Sequence, residues 1–225
     1  MRILKILDTD IIQNWHVLKG DNTLQRAISK AKLKSILDYQ KDQLDTAFSF
    51  CKNFRLAVDV GANYGLMSYN MAKKFNKVCA FEIVPEVNEC LKINLNKHNL
   101  KKVTVYDCGL GNKKQEVAIN FNPQSTFSTH VNLEGNDTNA KVETLDSFAF
   151  EDVDFIKIDA EGFESFIIQG GIETIKKYTP VILYERKGHD LRYGFEKNSV
   201  LNILKQFGYT ELKYIGSKNA LIGIK

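Results

Sequence analysis

The sequence predicts an α/β fold: one mostly parallel sheet, flanked by helices and closed by an antiparallel C-terminal hairpin. Three observations carry this. Strand-like runs at about 55–60, 77–82, 102–107, 155–160 and 180–185 alternate with helix-compatible stretches near 65–75, 85–97, 164–178 and 197–207. Alternation of this kind implies parallel strands joined by right-handed crossovers. The first strand ends in a glycine-punctuated turn, GANYG at 61–65, that opens a helix. Two further strand-like pieces, 211–215 and 220–224, flank a turn at 216–219, and so short a connection makes them antiparallel.

Taken in chain order, residues 1–50 precede the glycine turn and are expected to be largely helical. From 23 to 50 the apolar positions Leu24, Ala27, Ile28, Ala31, Leu37, Leu44, Ala47 and Phe48 recur mostly at three- and four-residue steps, with no proline or glycine. The segment is either a helix packed on the domain or a cap over a substrate pocket. The chain therefore divides into an N-terminal helical cap segment, 1–50, and a main domain, 51–225. The alternating strands and helices follow, broken at 115–145 by β-like pieces at 117–121 and 141–145 around a polar loop. No internal repeat or low-complexity segment interrupts the chain.

At 225 residues the protein is long enough for one full α/β core. An apolar share of 44% is ordinary for a globular chain, and three prolines argue against long disordered linkers. The net charge of +4 is mild. Lysine outnumbers arginine twenty-six to five, which fits an AT-rich genome better than a phosphate-binding design. No concentrated basic face is visible, so no stable nucleic-acid partner is expected. The start, MRILKILD, lacks the apolar core of a secretion signal. No run approaches the ~18 apolar residues of a membrane span. Cys51, Cys79, Cys90 and Cys108 are widely spaced without a C-x-x-C pair, which reads as buried thiols in a reducing cytoplasm.

The glycine turn carries the first functional signal. Without a Cβ, Gly61 and Gly65 can take unusual backbone angles and let a ligand approach the chain. Their G-x-x-x-G spacing is not the G-x-G-x-x-G that cradles a pyrophosphate. Glu82 follows Gly61 by twenty-one residues, at the end of the second strand, a distance that suits a ribose diol. A ribose acceptor without a diphosphate cradle points to S-adenosylmethionine before NAD, and the antiparallel hairpin favours a methyltransferase over an all-parallel NAD domain.

A second constellation lies in FIKIDAEGFE at 155–164, where Asp159, Glu161 and Glu164 sit at a strand's carboxyl end. The next strand ends in Glu185, followed by Arg186, Lys187 and His189. Ligands of open α/β sheets bind outside these strand ends. Asp159, Glu161 and Glu185 thus form a candidate acid/base or cation-binding cluster.

VDVGANYG at 58–65, Phe81-Glu82, IKIDAEGFE at 156–164 and PVILYE at 180–185 resemble the motifs of FkbM-type methyltransferases, over roughly residues 55–224. The K-I-D-x-E-G-x-E block is the specific part, and VETLDS at 142–147 resembles the segment before it; residues 1–50 show no match. The resemblance implies a seven-stranded class I methyltransferase (Rossmann-like) fold that transfers methyl from S-adenosylmethionine to oxygen. The acceptor is commonly a hydroxyl of a sugar, polyketide or related metabolite. Carried over by position, Asp59, Gly61, Ala62, Asn63 and Gly65 would shape the methionine end of the cofactor site. Glu82 would hold the ribose hydroxyls, with Ile83 beside the adenine. Asp107 and Cys108 occupy an adenine-contact position where the family often has Asn-Ala. Asp159 would face the methyl group and the acceptor.

Methyl transfer is an in-line displacement, so most catalysis comes from positioning. A carboxylate such as Asp159 or Glu161 can take the hydroxyl proton, or a divalent cation held by Asp159 and Glu185 can lower the hydroxyl's pKa; both remain open. His130, in the polar loop, and His189 are rival bases on the substrate side. His16 and His98 are read as surface residues. An RNA 2′-O-methyltransferase using Asp159 and Lys187 is the nearest alternative, and a non-catalytic or NAD-binding module the next. Amino methylation of DNA is excluded, because Asp159-Ala160-Glu161-Gly162 stands where a Pro-Pro-aromatic motif is needed. Cytosine C5 methylation is excluded too: it needs a Cys after Pro, and none follows Pro85, Pro123 or Pro180.

Overall fold

The computed structural model describes residues 7–136, 140–215 and 219–224. The start of the chain and most of the turn expected at 216–219 lie outside the described residues. Strands β1 (Thr9–Ile12) and β2 (Trp15–Leu18) precede helix α1 (Thr23–Ala31) and α2 (Lys41–Phe48). Then come β3 (Leu56–Val60), α3 (Leu66–Ala72), β4 (Lys77–Phe81), α4 (Pro85–Lys97) and β5 (Val103–Tyr106). An insert supplies β6 (Gly109–Leu110), β7 (Gln115–Asn120), β8 (His130–Asn132) and β9 (Ala140–Glu143). The chain continues through β10 (Val153–Ile158), α5 (Glu164–Gln169), α6 (Ile172–Tyr178), β11 (Val181–Glu185) and α7 (Ser199–Lys205). It closes with β12 (Thr210–Ile215) and β13 (Asn219–Gly223).

The main sheet has seven strands in the order β12-β13-β11-β10-β3-β4-β5. β10 and β11, β10 and β3, β3 and β4, and β4 and β5 pair in parallel. β13 runs antiparallel to both β11 and β12, as the terminal hairpin requires. Strand order reverses between β3 and β10: the chain leaves β3 toward β4 and β5, then returns to β10 on the other side. A reversal of this kind opens a crevice at the carboxyl ends of the strands. Every residue of β3 and β10 is buried, so these two strands read as continuous apolar runs interrupted by Asp59, Asp154 and Lys157. One face of the sheet packs Val58, Val60, Ile156 and Ile158 against the insert and the C-terminal elements. The other packs Ala57, Phe155 and Leu183 against α2 and α3, where Phe48 and Phe75 meet the Phe155 ring at centroid distances of 5.3 and 5.9 Å.

Four expectations are corrected here. Residues 1–50 are not largely helical, because β1 and β2 form a hairpin. Its two-residue loop places Gln13 and Asn14 at φ 46° and 72°, the doubly positive geometry that matches strand twist and suits asparagine. The expected helix at 23–50 is two helices, interrupted where Lys32 and Gln40 both take φ 53°. The apolar spacing did not show the break, because Leu33 and Ile36 fill the step between Ala31 and Leu37; Ile36 is buried in the connection between the two helices. The helix at 164–178 is likewise divided at Gly170-Gly171. His16 and His98 are half-buried rather than surface residues, and the His98 ring stacks on Trp15 at 4.7 Å. The strand-like pieces of the insert become β7 and β9 of a small sheet ordered β6-β9-β7-β8.

The Gly170 break has a steric origin: a Cβ there would lie 1.9 Å from the Gly111 carbonyl oxygen, which opens the insert. Gly170→Ala should therefore cost about 2–4 kcal/mol and lower Tm by about 4–16 °C for a domain of this size. A calorimetric scan checks it; a Tm within about 2 °C of the parent means that the backbone yields there.

Candidate active site

At the carboxyl ends of β3, β4, β10 and β11 lies a cavity of about 340 Å³, lined in part by Gly61, Asn63, Glu82, Ile83, Asp159 and Glu185. The glycine turn forms one wall. Gly61 and Ala62 donate backbone hydrogen bonds to the Phe81 carbonyl, at 3.0 and 2.9 Å. Gly61 has φ +71°, and a Cβ there would stand 1.9 Å from the Asp159 carbonyl oxygen. Its glycine requirement thus comes from the neighbouring strand β10. Asn63, at φ 49°, accepts at its side-chain oxygen from Tyr64 N–H (2.8 Å), a local bond that supports the left-handed backbone. Its own N–H donates to Glu82 Oε2 at 2.8 Å, while Val84 N–H donates to Glu82 Oε1 at 3.0 Å. Burial raises the pKa of Glu82, opposed by these two hydrogen bonds. Each carboxylate oxygen keeps an acceptor position, enough for two ribose hydroxyls.

Asp59 lies beneath the floor of the cavity, fully buried. Its Oδ2 accepts from Ser68 Oγ at 2.6 Å, and its Oδ1 is 3.2 Å from Lys157 Nζ, close enough for an ion pair but out of line for a hydrogen bond. Lys157 instead donates to the carbonyls of Gly61 and Val60, at 2.8 and 3.3 Å. Burial works against its charge, but the fields of Asp59, Asp159 and Glu82 outweigh burial and raise its pKa. Lys157 clamps the glycine turn to β10. Its signal was legible as a lone lysine inside an apolar strand.

Asp159 lines the cavity, its N–H donating to the Val60 carbonyl at 3.1 Å, and its carboxylate has no hydrogen-bond partner among the described residues. Glu161 and Glu185 line the same end. Lys187 Nζ sits between them, 3.3 Å from Glu161 Oε1 and 2.5 Å from Glu185 Oε1. His189 Nδ1 lies 2.7 Å from Glu161 Oε2 but is outside the lining. Burial first, and Asp159 second, push the Glu185 carboxyl up to about 8. From the N-terminal segment Tyr39 and Gln40 enter the wall, and burial with the fields of Asp159 and Glu185 raises the Tyr39 hydroxyl pKa. Glu164 turns inward under the loop, accepting at Oε1 from the N–H groups of Ala160 and Gly162. His130 lines the cavity, but its Nδ1 faces the Ser128 carbonyl and its Nε2 the Asn120 amide, both at 3.0 Å. A carbonyl only accepts, so Nδ1 donates there, and both ring nitrogens are engaged.

Four predicted cofactor positions do not line the cavity: Asp59 lies beneath its floor, Gly65 (φ +91°) faces Leu91 and Leu95, and Asp107 and Cys108 lie outside it. Asp107 is exposed and paired with Lys92 at 2.9 Å. Cys108 is buried in the core, its thiol pushed up to about 11 by burial. Neither lines the cavity, where Gly109 and Leu110 take that place beside Ile83. The short pairing of β6 with β9 turns the chain there and was not visible in sequence. Tyr39, Thr126 and Phe127 also went unmarked, since nothing in their local sequence says that they meet the strand ends. All four cysteines are free thiols, as expected.

Glu82 at one end, an apolar slot of Ile83, Val84 and Leu110, and the exposed backbone of the glycine turn suit a nucleoside bearing an amino-acid tail. The volume falls in the range of about 300–1,000 Å³ usual for such ligands. Glu161, Glu185 and His189 could together hold a cation, and Lys187 now pairs with both carboxylates. Among the described residues no helix is long and apolar enough to cross a membrane.

This strand order and crevice define a class I methyltransferase fold, which serves S-adenosylmethionine. The chain belongs to the FkbM methyltransferase family: the sequence model of the FkbM methyltransferase domain matches residues 59–211. Methyltransferase 1 of Beauveria bassiana is 26% identical over 141 residues, covering 50% of this chain and 57% of that protein. The crystal structure of methyltransferase FkbM from Methylobacillus flagellatus superposes with a TM-score of 0.55 at 17% identity, over 76% of this chain and 43% of that one. A Streptococcus mutans protein described as a methyltransferase, solved in complex with SAH, gives 0.52 at 15% identity, over 81% and 96%. The chain thus spans under two thirds of the length of the first two.

Glu164 makes stability pH-dependent. Burial raises its carboxyl from 4.5 to about 7, so the folded state holds the proton more tightly than the unfolded chain. Its contribution is complete below 4.5 and is lost as pH rises through about 7. Glu164→Gln keeps the Oε1 acceptor and removes the titration. Its Tm should fall less than the parent's between about pH 5 and 8; parallel curves would mean that Glu164 ionises normally.

Proposed function

We propose that the chain is an S-adenosylmethionine-dependent O-methyltransferase acting on a hydroxyl of a sugar, glycan or related small metabolite. The observation that carries this reading is the Asp159 carboxylate, which lines the cavity without a hydrogen-bond partner among the described residues, beside a Glu185 carboxyl that burial pushes up to about 8. In this reading Glu82 holds the ribose diol, Gly61, Ala62 and Asn63 present backbone to the methionine end, and Ile83 packs beside the adenine. The bound sulfonium supplies an electrophilic methyl group; the acceptor oxygen gains it as the carbon–sulfur bond breaks. Asp159, or Glu185 when ionised, takes the hydroxyl proton. Glu161 holds Lys187 against Glu185 and is itself paired with His189. With Lys187 between the carboxylates, the reaction needs no divalent cation, and EDTA leaves turnover unchanged.

Three carboxylates against Lys187 disfavour an anionic acceptor, which supports a small neutral polyol over RNA. Of the segment 1–50, the part from α1 to Gln40, with the loop before β8, serves as the cap that selects it, because the sheet supplies only the cofactor half. A cytoplasmic location fits the free thiols.

Saturating SAH at 100-fold over Kd should stabilise the protein by about 2.7 kcal/mol, or about 5–11 °C in Tm. Glu82→Ala should abolish most of that shift. A shift with NAD and none with SAH overturns the cofactor.

In a screen with labelled cofactor against sugars and glycans, turnover should rise with pH through about 8, since Glu185 acts only when ionised. Glu185→Gln and Asp159→Asn should each cost about 10²–10⁴-fold, and Glu185→Gln should flatten the profile. Turnover unchanged in both variants sinks the carboxylate mechanism.

A further inference from the structure

Asp21 is 3% exposed, on the segment before α1. Its Oδ1 accepts from the Thr23 N–H at 2.9 Å and the Thr23 hydroxyl at 2.6 Å. Its Oδ2 accepts from Tyr64 Oη at 2.6 Å and Thr126 Oγ1 at 2.7 Å. No cation pairs with it among the described residues. Burial opposes its charge, yet the donors from Thr126, Thr23 and Tyr64 outweigh burial and lower its pKa. An ionised carboxylate held by four donors fixes the position of each of them.

Those donors come from three separate parts of the chain. Thr23 begins α1, which sends Leu24 and Ala27 into the cavity wall; Thr126 sits beside Phe127 in the insert; Tyr64 belongs to the glycine turn. Tyr64 is riveted to the N-terminal segment at its other atoms as well. Its hydroxyl accepts from Leu18 N–H at 3.2 Å, and its carbonyl accepts from Trp15 Nε1 at 2.7 Å. Across the cavity, Tyr39 and Phe127 approach to 6.1 Å between ring centroids, so the two parts that Asp21 joins also face each other as an aromatic wall.

We propose that Asp21 is a positioning residue: by binding Tyr64 and Thr126 together, it assembles the N-terminal segment and the insert into the acceptor side of the cavity and couples that wall to the methyl-donor turn. Asp21 touches no reacting atom. The wall so built is a pair of aromatic rings over a carboxylate end, the chemistry that receives an uncharged, polyhydroxylated ring; this last step rests on the proposed function.

Hydrogen exchange on the ligand-free full chain tests the assembly without cofactor or acceptor. Thr126→Val removes one hydroxyl at nearly constant shape, and should speed exchange at 126–131 about tenfold while the amides of Val58 and Ile156 stay protected. Asp21→Asn should loosen 15–28 and 126–131 together, and Thr126→Ser, which keeps the hydroxyl, should restore parent rates. A second arm adds SAH. In the parent, SAH should slow exchange at both 15–28 and 126–131; in Thr126→Val it should slow only the first, with Kd within about twofold. Unchanged exchange at 126–131 in Thr126→Val and Asp21→Asn overturns the inference whatever SAH does. Loss of SAH binding by the parent, with the free-protein coupling intact, overturns the cofactor reading instead. Should Asp21→Asn not fold, Thr126→Val against Thr126→Ser decides alone.

Discussion

The buried Lys157–Asp59 pair is the constraint on which the rest of the site depends. It sits where β3 and β10 run side by side at the reversal of the sheet, with Lys157 bonded to the carbonyls of Val60 and Gly61. Those carbonyls belong to the strand end that becomes the glycine turn, so the ammonium fixes the turn's height relative to Asp159. Removing one member of such a pair leaves an uncompensated charge in the core, at a cost of about 3–5 kcal/mol. The arrangement buys position rather than net stability, because apolar residues would fill the same space at no desolvation cost.

From that clamp the electrostatics spread outward. Asp59 is consumed below the floor, Glu82 is held by two backbone N–H groups at one end, and Asp159 stands at the other without a hydrogen-bond partner among the described residues. Glu185 is driven toward its neutral form by burial and by Asp159, which Lys187 only partly offsets. One short block, KIDAEGFE at 157–164, therefore holds a structural cation, a cavity-lining carboxylate, a carboxylate paired with Lys187 and His189, and a buried acid. Alternation of side chains along β10 and the turn after it separates these roles: Lys157 points under the turn, while Glu164 folds back to accept from the loop's own N–H groups.

Much of the domain could be read from the chain because its signals are local. The parallel strands of the main sheet follow apolar runs, and the terminal hairpin follows from a connection too short for a crossover. The cofactor end was legible for the same reason: Gly61, Asn63 and Glu82 lie on one strand–turn–helix unit and the strand beside it. Less was legible before residue 51. The hairpin at Gln13-Asn14 was hidden inside a helical expectation, and so was the break between α1 and α2, because Leu33 and Ile36 carry the apolar pattern across it. α2 proved to be core, with Leu44, Ala47 and Phe48 against the main sheet, while α1 lines the cavity.

By itself the sequence determined the sheet, the glycine turn and the acidic strand ends, since period, turn chemistry and residue type are properties of neighbouring residues. Only the tertiary structure decided what each acid does. Asp107 looks like a ligand contact by position but pairs with Lys92 at the surface, and Asp59 lies under the floor. Asp21, with nothing beside it to mark it, gathers donors from residues as far away as Thr126. Burial, partner and distance set the charge state and duty of a carboxylate, and all three come from segments far apart in the chain that the packed sheet brings together.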